Sequence, residues 1–504
     1  MSALEVALTP LKMLQLDNAG HALVLGANRL APGVADALKA AGLKLVAAGA
    51  SPSEQDAACF RDRIPAAPDR IEGWLGHFST RLRLRDQDED LGVFSGRSDN
   101  HWDWIIDARP AGAFATEMAP PGYLHLPDGT LTEAARAQLA LAGEKQVSIP
   151  RHVQHRPERC AHFNLGHEGC TRCLEVCPAG ALRSEDGMIQ VQPELCHGCG
   201  TCVMACPTGA IRYDYPSLQG VLTAALDALH ERGTDAAGTV RIASVPVPET
   251  PGVLDVQLPS VISFGAELWL SLLAMGWARV HLVTQGVPAS TRALIRDEVA
   301  HWNSILDVPR LVVTDVYEAN DEPVIPAQVT PLPSSFRTWK TDKARLLGDA
   351  LARLIPADEG FLARPQGFPL GRVVINPEAC TQCLGCVQLC PVDALSANDA
   401  EDRLEFSTLR CAQCGICASG CPEQAIRIEP GLELAPERRT QPVVLFEVEK
   451  ARCRGCGAPI MSRRVLDSVR ARLASDPKVN LDVLDLCQEC RVNHLFGFPL
   501  GDKD

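Results

Sequence analysis

The sequence predicts a multidomain chain of mixed α+β and α/β class. It has two α/β units with parallel sheets, two small cysteine-rich modules and a four-cysteine lobe at the C-terminus. Three observations predict this. At 504 residues the chain is too long for one ordinary domain. Strand-like and helix-like runs alternate in two separate stretches, as parallel βαβ units require. Twenty of the 21 cysteines fall in closely spaced groups.

Residues 1–150 read as the first α/β unit. His21–Leu25 (HALVL) and residues 43–47 are apolar strand runs around a helix over 32–41, whose leading proline suits a first turn. Trp104–Asp107 (WIID) is a further buried strand, and residues 132–142 are a helix. Residues 151–215 hold eight cysteines. Residues 216–320 return to α/β: a helix over 217–232, strands at 240–245, 261–264, 278–284 and 311–314, and helices at 265–275 and 289–302. The run 261–278 is apolar enough to consider as a membrane span. Glu267 within it, and Arg279 and His281 directly after it, favour a buried helix leading into a strand. Residues 321–369 form a linker marked by Pro323, Pro326, Pro331 and Pro333, followed by a short helix at 342–354. Residues 370–430 hold eight more cysteines, and 441–504 hold the last four.

Composition narrows the function classes. Hydrophobic residues make up 46%, enough for real cores, while aromatics at 5% argue against base-stacking platforms. Lys+Arg is 48 against 62 Asp+Glu, a formal charge of −14, which disfavours nucleic acid and anionic membranes and favours a partner with a basic docking face. Clustered thiols in a long chain suggest metal ligands kept reduced, and the N-terminal residues lack a leader pattern. The expected location is therefore the cytoplasm.

Three runs fit C-x2-C-x2-C-x3-C-P without a gap: Cys196, Cys199, Cys202, Cys206; Cys380, Cys383, Cys386, Cys390; and Cys411, Cys414, Cys417, Cys421. A fourth, Cys160, Cys170, Cys173, Cys177, has nine residues where two are usual. In the second module every cysteine recurs 31 residues later, from Cys380/Cys411 to Cys390/Cys421. A cubane cluster needs four converging thiolates. Three cysteines in a tight loop wrap three corners, and small residues such as Gly198, Gly200, Gly385 and Gly415 let amides approach the sulfurs. The cysteine before the proline serves the neighbouring cluster in two-cluster ferredoxins. That crossover gives four [4Fe–4S] sets: Cys160, Cys170, Cys173 and Cys206; Cys196, Cys199, Cys202 and Cys177; Cys380, Cys383, Cys386 and Cys421; and Cys411, Cys414, Cys417 and Cys390. Zinc is the rival metal, disfavoured by three gap-free matches and an internal repeat. In the first set the insertion AHFNLGHEG carries His162 and His167, and either is an alternative ligand to Cys160; otherwise they belong to a polar loop.

The two modules resemble bacterial-type 2[4Fe–4S] ferredoxins, which implies ββα-repeat dicluster folds and one-electron transfer. The run Cys160–Pro178 (CAHFNLGHEGCTRCLEVCP), with the order of segments, resembles large bacterial cytoplasmic polyferredoxins that often occur beside formate dehydrogenase and molybdoenzyme chaperones. That resemblance implies redox-protein partners, formate dehydrogenase or its chaperone among them. Residues 259–305 are similar to the small iron–sulfur subunit of some hydrogenase and heterodisulfide reductase complexes, though they contain no cysteine.

Cys453-x2-Cys456 and Cys487-x2-Cys490 have no proline after them and lack the run of three. Read as two CxxC hairpins, they suit one structural Zn2+ in a zinc-ribbon-like lobe, with a rubredoxin-like iron as the alternative. Other features carry less. Gly26–Gly33 follows a strand but is not G-x-G-x-x-G, so an α/β turn is expected over a nucleotide site. The loops at 263–265 and 284–286 end strands, where α/β folds place ligands, but helix packing explains them as well. Cys59 reads as an inert small hydrophobe. No catalytic constellation is expected. The leading function is single-electron relay between a dehydrogenase and another redox carrier. The alternatives are an accessory or maturation factor for a molybdenum-dependent oxidoreductase, and an enzyme with its own small-molecule site.

Overall fold

The structure, a computed structural model, describes residues 12–84, 87–232, 238–306, 308–315, 342–365, 367–398, 402–476 and 479–497. Pro323, Pro326, Pro331 and Pro333 of the expected linker lie outside the described residues.

In the first α/β unit, His21–Leu25 and Lys44–Ala48 are short apolar runs with no turn residue inside them. Side chains of a strand alternate between faces, and here both faces are covered. Ala22, Val24, Leu45 and Ala47 join one core with Leu38 of the helix Val34–Ala40. Leu23, Leu25 and Val46 join a second core with Phe78 and Trp102. The sheet has five parallel strands in the order Phe60–Ile64, Lys44–Ala48, His21–Leu25, Trp104–Asp107 and Tyr123–His125. Met13–Asp17 pairs antiparallel with Gln146–Pro150, tying the start of the unit to its end.

The second α/β unit holds four parallel strands, ordered Val253–Gln257, Thr239–Ala243, Arg279–Val283 and Leu311–Thr314. The strand expected at 261–264 is not there. Ser260 and Ser263 divert that backbone: the Ser263 hydroxyl accepts from the Ser260 amide at 3.1 Å and donates to the Ser260 carbonyl at 2.8 Å, and the Ser260 hydroxyl accepts from the Ile262 amide at 3.2 Å. Such local bonds compete with a ladder. The strand that does form, Val253–Gln257, hides a charge: Asp255 sits beside Arg241 in register and takes its guanidinium at 2.5 and 2.8 Å. All ten residues of the helix Ala266–Met275 are buried, between this sheet and the helix Lys343–Leu354. The apolar run seen in the sequence is thus a core helix. No helix among the described residues is long and apolar enough to cross a membrane.

The two cysteine-rich modules share one plan. In each, the first and last strands pair: Val153–His155 with Ile211–Tyr213, and Gly371–Ile375 with Ile426–Glu433. In each, an inner hairpin lies between them: Leu182–Glu185 with Met188–Val191, and Leu395–Asn398 with Arg403–Phe406. Two one-turn helices complete each module, Arg172–Glu175 and Thr201–Ala205 in the first, Gly385–Leu389 and Ile416–Ser419 in the second.

Candidate metal centres

The cysteine loops are shaped by left-handed residues at repeated positions. Two residues after the first cysteine stand Gly198, Gln382 and Gln413, all with positive φ; four residues after it stand Gly200, Leu384 and Gly415, again with positive φ. Alternating backbone signs of this kind turn successive amides inward, toward an anion. Gly385, expected to let the chain approach the sulfurs, instead opens a helix, and Leu384 takes the left-handed position. Three residues after each cysteine that precedes proline, the chain is left-handed once more, at Gly180, Gly209, Asp393 and Gln424. The next amide then reaches back to the sulfur: Ala181 to Cys177 at 3.3 Å, Ala394 to Cys390 at 3.2 Å and Ala425 to Cys421 at 3.5 Å. At Cys206 the pattern slips by one residue. The Thr208 hydroxyl takes the Ala210 amide at 3.3 Å, and Ile211 bonds the sulfur at 3.5 Å instead. Sulfurs that accept amide protons are what thiolate ligands of a cluster require.

Thiols of different runs come within electrostatic reach of one another. Burial pushes Cys160 up to about 11 and Cys173 up to about 12, and the charge of Cys206 adds to both. Burial likewise raises Cys196 to about 11, with Cys177 contributing. Cys386 is pushed up to about 12 by burial, then by Cys383, Cys380 and Cys421, and Cys411 to about 12 by burial, with Cys414 and Cys390 adding. Free thiols with such values keep their protons at neutral pH, so metal loading must release them.

The sets also adjoin one another. Cys173 contributes to the rise of Cys202, Cys170 to that of Cys414, and Cys386 to that of Cys417. The order in space is therefore the set of Cys196, the set of Cys160, the set of Cys411 and the set of Cys380. The nine-residue insertion makes the middle junction. It forms a small hairpin, Phe163–Asn164 with His167–Glu168, placed against the second module. The Asn164 amide donates to the Gln388 carbonyl at 3.0 Å, and a Cβ at Gly169 would lie 2.7 Å from Ile416 Cδ1. His162 is buried, its Nδ1 3.0 Å from the Cys170 carbonyl and its Nε2 2.7 Å from the Ser184 hydroxyl, so both ring nitrogens already have partners. Nothing in the spacing signalled that the insertion is an interface.

The last four cysteines form the tightest group: their sulfurs all lie within 4.8 Å of one another. Cys453 and Cys456 sit in a turn between the paired strands Lys450–Arg452 and Pro459–Ser462. The second pair does not sit in a hairpin. Cys487 caps the helix Gln488–Leu495, its sulfur accepting the Cys490 amide at 3.4 Å. Cys453 is buried, which opposes ionisation. It nonetheless accepts amides from Cys487 at 3.2 Å and Gly455 at 3.4 Å, and these bonds bring it down to about 6. A thiolate among four converging sulfurs fits a tetrahedral metal ion. The lobe adjoins the set of Cys380, with the Ser462 hydroxyl donating to the Thr381 carbonyl at 2.9 Å and Arg464 reaching the Cys380 carbonyl at 3.2 Å.

The other candidates are occupied by their own surroundings. Gly26 turns against Ala108, whose carbonyl accepts from Arg29 at 3.0 Å. The Ser260 hydroxyl of the 260–265 turn donates to the Cys199 carbonyl at 2.6 Å, and Thr284 donates to the Thr314 carbonyl at 3.0 Å. Cys59 lies 3.0 Å from Asp36, which raises its pKa.

Comparison with known proteins agrees with this geometry. The 4Fe-4S binding domain family matches residues 189–212, and the 4Fe-4S dicluster domain family matches residues 372–431. The pyruvate synthase subunit PorD of Thermotoga maritima is 33% identical over 66 residues, 13% of this chain and 66% of that protein. NADH-quinone oxidoreductase subunit I 2 of Geobacter metallireducens is 32% identical over 90 residues, 16% of this chain and 69% of that protein. The polyferredoxin-like subunit of the aliphatic sulfonate oxidoreductase of Pyrococcus furiosus is 35% identical over 71 residues, 14% of this chain and 41% of that protein. The chain spans about two thirds or less of the lengths of these curated relatives. It belongs to the ferredoxin-type iron–sulfur proteins, which carry [4Fe–4S] clusters and transfer electrons.

Proposed function

We propose that the chain relays single electrons along four [4Fe–4S] clusters, held by the sixteen cysteines in the four sets above, between a dehydrogenase and a second redox carrier. The Cys453, Cys456, Cys487 and Cys490 lobe binds a structural Zn2+. The observation that carries this reading is the continuity of the sets, with Cys173 beside Cys202, Cys170 beside Cys414 and Cys386 beside Cys417. When bound, each cluster supplies a one-electron couple. The chain supplies the thiolates, the amide bonds to them, and the burial that tunes their potentials. At one end of the row Cys383 is exposed, which offers a place for a partner. The formal charge of −14 suits a basic docking face on that partner. Two relatives are named as subunits of oxidoreductases, and formate dehydrogenase is the dehydrogenase to which the sequence resemblance points.

Metal and sulfide analysis after anaerobic purification tests the reading, together with EPR of the reduced protein. About sixteen irons and one zinc per chain, with interacting cluster signals, are expected from the four-cluster assignment. Half that iron, or signals that do not interact, would replace the relay with a role as an accessory factor.

A further inference from the structure

At one of the four sets a buried pair of threonine hydroxyls reaches a ligand sulfur; at another, the Thr208 hydroxyl lies farther off, 3.6 Å from Cys206 Sγ. The Thr201 hydroxyl lies 3.2 Å from Cys199 Sγ and 2.9 Å from the hydroxyl of Thr291, in the first turn of the helix Ala289–Asn303. Both threonines are fully buried. The residue just before the third cysteine of each run is Thr201 here, but Arg172, Gly385 and Ile416 in the others. A ligated thiolate only accepts hydrogen bonds, so the direction of this pair is fixed. Thr201 donates to the sulfur, and Thr291 donates to Thr201. Each bond polarises the next toward the sulfur.

We infer that Thr201 and Thr291 form a tuning pair that raises the reduction potential of the cluster at Cys196, Cys199, Cys202 and Cys177 relative to the same site without it. Reduction adds negative charge to the cluster, and a donor aimed at a ligating sulfur stabilises that charge. The second α/β unit thereby does more than cover the first module. Through Thr291 it sets the electronic environment of one site, and the Ser260 hydroxyl on the Cys199 carbonyl at 2.6 Å and Gly200 against Ile262 hold the same loop in place. Glu117 of the first α/β unit fixes the start of the helix that carries Thr291, accepting from the Ala289 amide at 2.5 Å and the Ser290 amide at 3.2 Å.

The inference rests on the four-cluster reading, so iron and sulfide are counted first in each variant. Potentials are then read by EPR-monitored titration of the full chain. With Thr201→Val, one couple is expected to move to more negative potential while the other three hold, and Thr201→Ser is expected to restore it. Thr291→Val, which reaches the sulfur only through the Thr201 hydroxyl, is expected to move the same couple in the same direction by less. If Thr201→Val fails to load iron, Thr291→Val alone decides. A fully loaded variant, Thr201→Val or Thr291→Val, whose four couples all match those of the unaltered protein overturns the tuning role. A native protein short of iron in this set would overturn the cluster assignment itself.

Discussion

Cys170 of the first module and Cys414 of the second come close enough across their junction for the charge of one to raise the pKa of the other. Arg172, two residues further on, acts on Cys411 in the opposite sense. The join between the modules is thus made at the metal-binding loops themselves.

Gly169 is the tight point of that join. A Cβ there would meet the Ala161 carbonyl and Ile416 Cδ1, both at 2.7 Å. Gly169→Val is expected to push the hairpin off the second module while leaving the cysteines in place. Overpacking of this kind costs about 1–3 kcal/mol. EPR of the reduced variant should keep its iron count but lose the interaction between the two middle clusters. An unchanged spectrum would mean that the junction is held elsewhere.

The buried pair Arg241–Asp255 should matter for stability. Asp255→Ala leaves a fully buried guanidinium without its carboxylate, beside the neutral Thr250 hydroxyl and Pro248 carbonyl. Breaking such a pair costs about 3–5 kcal/mol. Replacing both residues with apolar side chains should recover much of it. Thermal unfolding of the two variants, compared side by side, checks the order.

His21 gives a pH dependence remote from any cluster. Burial pulls its pKa below the usual value, while the Ser95 carbonyl opposes and Lys44 adds to the fall. Lys44 donates to Nε2 at 3.0 Å, so Nδ1 carries the proton given to the Ser95 carbonyl, and the ring is neutral. The unfolded chain binds more protons here than the folded one. Stability from this group is therefore complete above the unfolded pKa, about 6.5, and is lost as pH falls through the lower folded value. His21→Gln should flatten the acid side of the melting-temperature profile.

Removing one ligand from the C-terminal lobe should separate its metal from the clusters. Cys487→Ser is expected to lose about one zinc per chain while retaining the iron, and to open the 450–497 segment to protease. Loss of iron in place of zinc would identify the lobe as an iron site.

The sequence made the 4Fe-4S motifs legible because their spacing is local: turns of two and three residues set it, and the 31-residue repeat doubles the signal. The parallel strands were legible where both faces are apolar, as at His21–Leu25. What escaped was set by contacts distant in sequence. The strand at Val253–Gln257 was not expected, and it buries Asp255 because Arg241 lies beside it in register. Thr201 and Thr291, 90 residues apart, gave no sign of meeting. The second CxxC pair was expected in a hairpin, but Cys487 starts a helix by accepting an amide with its own sulfur.

The hairpin in the nine-residue insertion has a consequence for polarity. Four equal sites in a row would have no head or tail. By docking the first module on the second at its own middle, the hairpin leaves the two outer sites in unlike settings. One is roofed by both α/β units, through His197 on the Ala119 carbonyl and Thr201 on Thr291; the other keeps Cys383 open to solvent. On the proposed relay the row would act as an insulated conductor whose one exposed ligand, among the described cysteines, is Cys383. On that reading a carrier that simply collides would meet the bare end, and access to the roofed end would require a partner that engages the α/β units themselves.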